Sequence, residues 1–213
     1  MCNLYSMTKS REAAVAYTRA MRDRTSNQPP LPAIFPDQLA PVVGTSKDGL
    51  REMVMMRWGF PPARGGSRPV TNIRNLRSSY WSGWLEKKRF RCVVPVTSFC
   101  EYTDASPKVA HWFALGEERP LFCFAGVWRP WSGVRAKEDG THLLFAFLTT
   151  DANDLVRPIH AKAMPVMLTG DEIETWLEGS SEDALALAKP FPAEHMQIVL
   201  SGPREDPGSS AGP

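Results

Sequence analysis

The second residue of the chain is a cysteine, and its position gives it two reactive groups instead of one. Once the initiator Met1 is removed, Cys2 carries a free α-amine beside its thiol. An α-amine has a pKa of about 7.7–8.0 and a cysteine thiol one of about 8.5, so a useful fraction of each is nucleophilic near neutral pH. Two chemistries are then open. The pair condenses with an aldehyde to a thiazolidine, or the thiol attacks an amide with the α-amine as general base.

Two further residues have side chains that move protons, and each lies beside an apolar segment. Glu101 follows the run 91–100, which predicts a strand that carries this carboxylate into the interior, where its pKa rises. His160 lies in a turn before the apolar run 163–168. Both residues therefore qualify as general acids or bases. A salt bridge for Glu101 and a structural hydrogen bond for His160 are the simpler alternatives.

The net charge of +2 conceals a separation of charge along the chain. Residues 51–100 contain ten Lys and Arg against two Glu, a net charge of +8, whereas residues 171–213 carry −7. A basic segment of this kind predicts a surface that binds a polyanion such as a nucleic acid. The alternative is a basic loop that is simply solvated.

Composition and motifs argue against several other classes of protein. No apolar run approaches the ~18–20 residues that cross a bilayer. The N-terminus lacks the pattern of a signal peptide, so we expect a cytoplasmic protein. The cysteines and histidines show no zinc-ligand spacing, and Cys92, Cys100 and Cys123 lie in apolar runs that predict buried side chains. Without a Walker A or G-x-G-x-x-G motif, neither a metal nor a cofactor is expected.

The elements that must position these residues are mostly strands. Runs rich in Val, Phe, Trp and Leu predict strands at 52–58, 90–96, 110–115, 121–128, 143–149, 163–168 and 196–200. Helices are predicted to begin near Thr8 or Ser10, at the capping box Thr169–Glu172 and at Ser181. Strands dominate and helices lie toward the ends, which predicts a single α+β domain of curved, mostly antiparallel sheet with peripheral helices.

Two segments are predicted to be irregular. Five prolines in residues 26–43 favour an extended path over the surface. Residues 203–213 are polar and rich in Gly, Pro and Ser, which predicts a disordered tail. We therefore predict one folded domain over residues 1–202, followed by the tail.

Five short motifs are more specific together than any one of them alone. They are MC at 1–2, TNIRN at 71–75, RCVVPVTSFCEY at 91–102, FAGVW at 124–128 and IHAKAMPVML at 159–168. Their order and spacing resemble the SOS-response-associated peptidase (SRAP) family from Cys2 to about Leu200. The resemblance implies a barrel-like fold and a DNA-damage protein that shields abasic sites in single-stranded DNA.

The resemblance also implies roles for single residues. Cys2 matches the nucleophile that forms a thiazolidine cross-link with the ring-opened abasic sugar, and Asn72 matches the asparagine that holds it. Glu101 matches the glutamate that moves protons, and that is implicated in cross-link reversal and in autoproteolytic loss of the initiator methionine. His160 matches the histidine that assists ring opening. Arg74 matches the arginine that contacts a neighbouring phosphate.

Further DNA contacts are predicted around this centre. Trp58 offers a ring for base stacking, Pro41 is predicted to form part of a wedge against duplex DNA, and Lys162 loosely replaces a family arginine. The arginines predicted to contact DNA phosphates are Arg57, Arg64, Arg68, Arg74, Arg77 and Arg91. We expect a monomer that binds single-stranded DNA containing abasic sites, associates with the nucleoid when bound to DNA, and has no membrane partner.

Two alternatives remain open. A cysteine N-terminal-nucleophile amidohydrolase or peptidase also begins Met-Cys, although such enzymes usually continue with Gly and a long apolar strand. A non-covalent single-stranded DNA-binding module explains the basic segment but leaves Cys2 unused. Asn3 and Leu4 stand where many SRAP proteins have Gly-Arg, so the contact made by that arginine is missing or is supplied elsewhere.

Overall fold

Strands dominate the structure, a computed structural model that describes residues 2–27, 29–62 and 68–208. The strands are β1 (Tyr5–Met7), β2 (Arg22–Asp23), β3 (Leu31–Ile34), β4 (Leu39–Thr45), β5 (Arg51–Trp58), β6 (Asn72–Ile73), β7 (Arg91–Val96), β8 (Ser98–Tyr102), β9 (Ala110–Ala114), β10 (Phe122–Arg135), β11 (Glu138–Thr150), β12 (Met164–Pro165), β13 (Met167–Leu168) and β14 (Gln197–Ser201). The helices are α1 (Arg11–Thr18), α2 (Ser79–Leu85), α3 (Glu172–Glu178) and α4 (Ser181–Ala186), with 3-10 turns at Lys88–Phe90 and Ala193–His195.

Five of the strands close into a barrel. Strand β4 pairs with β5 and β7, β7 pairs with β10, and β10 pairs with β11, all antiparallel. A short parallel contact between β11 and β5 closes the ring at Leu144 and Arg57. Buried aromatic rings pack inside the fold, with the centroids of Phe124 and Phe147 4.6 Å apart. The prediction of an α+β domain built on curved, mostly antiparallel sheet is confirmed.

A second, antiparallel sheet has the strand order β14-β9-β8-β1-β3 and covers this barrel. The N-terminal strand β1 lies inside this sheet, and its three residues are all buried. Tyr5 reaches from β1 into the aromatic core, 5.1 Å from the ring of Trp58 and 5.8 Å from that of Phe124. The start of the chain is therefore an interior strand of the second sheet whose Tyr5 packs against the barrel core.

Helices α1, α3 and α4 begin near their predicted signals, whereas α2 was not predicted. Helix α1 begins after Ser10, whose hydroxyl accepts a hydrogen bond from the amide of Ala13 at 3.2 Å. The Thr169–Glu172 motif ends at the first residue of α3, where Asp171 and not Thr169 is the N-cap, and the carboxylate of Glu172 accepts a hydrogen bond from the amide of Thr169 at 2.9 Å. Helix α4 begins at Ser181, as predicted. Within the described ranges, no helix is long and apolar enough to span a membrane.

Two predictions about irregular segments are corrected. The proline-rich run is extended, but residues 40–44 of β4 are buried between β5 and β7 instead of following the surface. The predicted tail also packs in part: Asp206 is fully buried and the carbonyl of Pro203 accepts a hydrogen bond from the indole of Trp112 at 3.0 Å. Long-range partners bury both segments, and composition does not reveal such partners. Residues 209–213 of the predicted tail lie outside the described residues.

Candidate functional site

The pairing of β1 with β8 places Cys2 near Glu101. Tyr5 lies opposite Phe99, and the amide of Cys100 donates a hydrogen bond to the carbonyl of Leu4 at 2.9 Å. Continued in this antiparallel direction, the residues before Leu4 run alongside those after Cys100. Glu101 is 4% exposed, and Cys2 is fully buried. A nucleophile and a carboxylate from opposite parts of the sequence thus share one end of the sheet.

Asn72 holds the backbone of Cys2. Strand β6 pairs in parallel with β11, with Asn72 opposite Phe147, and so brings the amide side chain to the N-terminal strand. Its Nδ2 donates hydrogen bonds to the Cys2 carbonyl and to Thr71 Oγ1, both at 2.8 Å. Its Oδ1 is buried and has no hydrogen-bond partner among the described residues. This oxygen is therefore available to accept a hydrogen bond from a bound molecule.

Glu101 and His160 face each other. Glu101 Oε2 lies 3.9 Å from His160 Nδ1, and Glu101 Oε1 is buried without a hydrogen-bond partner in the described part of the chain. Burial raises the pKa of the Glu101 carboxyl to about 7, because the charged form is poorly solvated there. A carboxyl with this pKa both accepts and donates a proton near neutral pH.

His160 is positioned by a turn between β11 and β12. Its amide donates a hydrogen bond to the carbonyl of Val156 at 2.8 Å, which closes a helix-like turn. Burial lowers the pKa of the imidazole, and the positive charges of Lys162 and Lys108 lower it further, whereas Asp104 opposes them. The neutral imidazole, with one donor and one acceptor nitrogen, is therefore favoured near neutral pH.

The thiol of Cys2 is kept protonated in this structure. Burial raises its pKa well above the usual value, and the charge of Glu101 raises it further. The thiol contacts the carbonyl of Leu4, with Sγ at 3.4 Å from the oxygen. Because only the thiolate is strongly nucleophilic, bond formation at sulfur requires a base. The neighbouring buried carboxylate of Glu101 is suited to be that base.

The four groups come from four separate parts of the chain: the nucleophile from the segment before β1, the amide from β6, the carboxyl from β8 and the imidazole from the turn before β12. Such a group is suited to attack on an electrophilic carbon with stepwise proton transfer. Among the described residues, no group of three or more His, Cys, Asp or Glu side chains is placed to hold a metal ion.

Comparison with known proteins agrees with this arrangement. The model of the family described as SOS response associated peptidase (SRAP) matches residues 1–200. The chain belongs to this family. It is similar to the abasic site processing proteins YoqW and YobE of Bacillus subtilis (strain 168), with 29% identity over 154 residues and 27% over 156. These alignments cover 67% of this chain and 66% and 67% of the two relatives, so the chain matches about two thirds of their length.

Solved structures share the fold of this SRAP chain. A crystal structure of a protein from Bordetella bronchiseptica has a TM-score of 0.75 at 20% identity, covering 94% of this chain and 98% of that protein. A protein from Bacteroides thetaiotaomicron has a TM-score of 0.70 at 24% identity, covering 92% and 90%. At these identities the likeness shows the fold alone.

In this SRAP domain, three of the residues predicted to bind DNA lie on the surface. Arg74, Arg77 and Lys162 are exposed, and Lys162 is two residues beyond His160. Arg74 forms an ion pair with Asp151. A phosphate that binds Arg74 therefore competes with this carboxylate. Arg68 is also exposed, and Arg64 lies outside the described residues.

Three other predicted DNA contacts are wrong for this structure, because their side chains are buried. Trp58 is fully buried and donates its indole N–H to the carbonyl of Thr71 at 3.1 Å, so it has no face for a base. Pro41 is buried in β4 opposite Met55 and cannot act as a surface wedge. Arg57 is 9% exposed and donates to the carbonyl of Asp37, so it braces a loop.

Arg91 must be corrected in the same way. It is fully buried, and its guanidinium donates to the carbonyls of Leu85 and Gly179 at 2.9 Å and of Trp176 at 3.3 Å. It joins the ends of α2 and α3 and takes no part in a phosphate surface. Whether an arginine is buried or exposed depends on which face of a strand its side chain occupies and on how the layers pack. A count of charges along the sequence records neither.

Sequence reasoning missed four residues that support or adjoin the site. Thr71 accepts a hydrogen bond from Asn72, and its hydroxyl lies 3.2 Å from Asn3 Oδ1, which links Asn3 to the site. Asp151 pairs with Arg74, and Lys108 acts electrostatically on His160. Thr71 had a signal in the TNIRN motif, and Asn3 had one because it stands where many family members have Gly. Asp151 and Lys108 depend on the fold.

Proposed function

We propose that this protein cross-links covalently to abasic sites in single-stranded DNA through Cys2, after removal of Met1. The observation that carries the proposal is the hydrogen bond from Asn72 to the Cys2 carbonyl, which holds the N-terminal residue beside a proton-transferring carboxyl. Membership of the SRAP family and the similarity to proteins named for abasic site processing support the same substrate.

The first step is opening of the sugar. An abasic deoxyribose exists mainly as a cyclic hemiacetal, and its aldehyde is released when a proton moves from the anomeric hydroxyl to the ring oxygen. Glu101 and His160, 3.9 Å apart, form a pair that takes the first proton and delivers the second. The lowered pKa of His160 suits it to act as a neutral donor and acceptor in this transfer.

The second step joins protein and DNA. The neutral α-amine of Cys2 adds to the aldehyde carbon to give a carbinolamine. Glu101 protonates its hydroxyl, which leaves as water, and takes back the N–H proton to leave a neutral imine. The thiol then adds to the same carbon, its proton passes through Glu101 to the imine nitrogen, and a C–S bond closes the thiazolidine. The net reaction is aldehyde plus aminothiol to thiazolidine plus water, with no redox change. Asn72 holds Cys2 close to the aldehyde. This lowers the activation barrier, because much of the entropy cost of bringing the two reactants together is removed.

Non-covalent contacts hold the strand. Arg74, Arg77 and Lys162 are exposed cations, Arg74 two residues beyond Asn72 and Lys162 two residues beyond His160, and such side chains suit phosphates. We assign the protein to the cytoplasm, acting as a monomer on nucleoid DNA. Its lyase-like abasic-site chemistry is its principal activity, and any peptidase or hydrolase activity is confined to removal of Met1.

The decisive experiment mixes the protein with single-stranded DNA that carries one abasic site and looks for a band that survives denaturation. The wild-type protein should form this band, Cys2→Ala should not, and Cys123→Ala, which changes another buried cysteine, should behave as wild type. DNA with a tetrahydrofuran in place of the sugar should give no band, because it has no aldehyde.

Mass spectrometry must show Cys2 as the mature N-terminus in the same sample. An uncleavable N-terminal tag should abolish the band by removing the free amine. A correctly processed wild-type protein that gives no band would contradict the proposal. Hydrolysis of an amide substrate by a protein that gives no band would then favour the amidohydrolase alternative, and reversible binding alone would favour the DNA-binding module.

A further inference from the structure

The segment 203–208 contains a buried aspartate that the proposed chemistry does not use. Asp206 is fully buried, and its carboxylate accepts hydrogen bonds from Ser98 Oγ at 2.6 Å and from Arg119 Nε and Nη2 at 3.3 and 3.2 Å. Its amide donates to the carbonyl of Pro32 at 2.9 Å. A buried carboxylate is tolerated only when it is paired and hydrogen-bonded, so this site is specifically built.

The hydrogen bonds continue from Asp206 to the N-terminal strand. Ser98 Oγ lies 2.7 Å from Ser6 Oγ, and Ser6 Oγ lies 2.9 Å from Thr97 Oγ1. The hydroxyl of Thr97 in turn accepts the amide of Thr8 at 3.1 Å. A continuous chain of polar groups therefore joins the carboxylate to Ser6 and Thr8, at the C-terminal end of β1.

The segment itself is anchored on both sides of Asp206. The carbonyl of Pro203 accepts a hydrogen bond from Trp112, and the amide of Gly208 donates to Asp206 Oδ1 at 3.1 Å. Gly208 also lies against Thr8, since a Cβ at Gly208 would be 2.7 Å from Thr8 Oγ1. Residues 203–208 thus form a strap over the end of β1, on the far side of that strand from Cys2.

Strand β1 needs such a device because it is short. Only Tyr5 and Ser6 form ladder pairs with β8, and its pairing with β3 is irregular between Tyr5 and Met7. A slip of one residue would turn every side chain of the strand to the opposite face and move Cys2 out of line with Glu101. The Ser6–Ser98–Asp206 contact prevents that slip, because it joins the two residues that lie opposite each other.

We propose that Asp206 is a positioning residue for the reaction at Cys2, acting through Ser98 and Ser6 on the register of β1. This inference rests on the proposed function for its catalytic consequence. Asp206 touches neither the nucleophile nor the DNA. Its effect is to keep Cys2 at the position from which its amine and thiol reach the aldehyde beside Glu101.

The test compares Asp206→Asn with Glu205→Gln, which neutralises the adjacent but exposed carboxylate. Three quantities are measured: the single-turnover rate of cross-linking, the Kd for single-stranded DNA with an inert tetrahydrofuran site, and amide hydrogen exchange. The informative amides are those of Thr97 and Cys100, which donate to Ser6 and Leu4 and so report on the docking of β1.

For Asp206→Asn we expect a cross-linking rate at least tenfold lower, a Kd within twofold of wild type, and faster exchange confined to the amides of Thr97, Cys100 and their β1 partners. Glu205→Gln should match wild type in all three. Faster exchange throughout the barrel would overturn the proposal, because it means that Asp206 contributes to global stability. An unchanged cross-linking rate would also overturn it, because it means that Asp206 does not position Cys2.

A second variant guards against misfolding of the first. Ser6→Ala removes the link without leaving a charge unpaired, and it should also lower the rate at least tenfold. Adding Asp206→Asn to Ser6→Ala should change the rate less than threefold if both act through the same contact; additive losses would overturn the proposal. An inactive wild-type protein would refute the proposed function instead, and the exchange data would still decide whether Asp206 holds β1.

Discussion

The side-chain amide of Asn72 donates a hydrogen bond to the backbone carbonyl of Cys2 at 2.8 Å, across 70 positions of sequence. Because the α-amine and the thiol share the Cα that adjoins this carbonyl, one contact orients both nucleophiles. The amide is in turn fixed by its bond to Thr71 and by the pairing of β6 with β11. An amide orients Cys2 without adding a negative charge, which would favour the protonated and therefore unreactive form of the amine.

Replacing Asn72 by Asp tests this relationship. The carboxylate cannot donate to the Cys2 carbonyl, so we expect cross-linking to slow on the order of 100-fold, the usual cost of a misplaced reactant. The free energy of unfolding should fall by about 1–3 kcal/mol, because a buried acceptor loses its donor. Single-turnover kinetics and denaturant unfolding measure the two effects. Asn75→Asp, an exposed neighbour, is the control and should change neither.

Glu101 should make stability depend on pH. Its pKa is raised by burial from 4.5 to about 7, so the folded state binds the proton more tightly than the unfolded state. The favourable contribution is therefore complete below about pH 4.5 and is lost as the pH rises through 7. Between about pH 5 and pH 8 the wild type should lose about 2–3 kcal/mol relative to Glu101→Gln. Denaturant unfolding of both proteins checks this, with Glu182→Gln, an exposed acid, as control.

The same substitution should change the reaction. Glu101→Gln removes the carboxyl that we propose to shuttle protons in ring opening and thiazolidine closure, so we expect cross-linking to slow on the order of 100-fold or more. The wild-type pH–rate profile should show an inflection near the pKa of about 7, and the variant should lack it. A variant with the wild-type rate and profile would restrict Glu101 to a structural role.

Asp151 should restrain the binding of DNA by Arg74. The two side chains form an exposed ion pair, so a phosphate must displace Asp151 before it contacts Arg74. Since exposed pairs contribute about 0.2–1 kcal/mol, Asp151→Asn should tighten single-stranded DNA binding by about 1.5- to 5-fold at low salt. Arg74→Ala should weaken binding and reduce the salt slope by about 0.7.

Fluorescence anisotropy over a range of salt concentrations measures these changes. Asp154→Asn is a matched control, because it removes the same charge from the same turn but releases Arg157 instead of Arg74. Equal gains from Asp151→Asn and Asp154→Asn would mean that the effect is one of net charge.

Arg91 should matter for stability and not for DNA. Its buried guanidinium is satisfied by carbonyls at the ends of α2 and α3, so Arg91→Met leaves those acceptors unpaired and should lower the free energy of unfolding by about 3 kcal/mol. The salt slope for DNA should not change. Arg89→Met, which alters an exposed arginine two residues away, should leave stability within about 0.5 kcal/mol of wild type.

Much of the architecture was predictable from local patterns. Apolar runs marked most barrel strands, and Ser10 and Glu172 marked two helix starts. Among the strands that escaped prediction, β1 is short and β4 is interrupted by a proline, and both exist because long-range partners complete their hydrogen bonds. The fold brings together the four predicted site residues, Cys2, Asn72, Glu101 and His160. Their roles in the reaction remain predictions.

The sequence by itself determined the reactive potential of Cys2, the α+β class and the excess of basic residues between 51 and 100. Tertiary structure alone decided which of those arginines meet solvent, that Trp58 belongs to the core, and that Asp206 reaches the N-terminal strand. The physical reason is that burial, which also sets the pKa of Glu101, arises from contacts between residues far apart in the chain. Residue type and local spacing decide what a side chain is able to do, and packing decides whether it faces water, the core or the site.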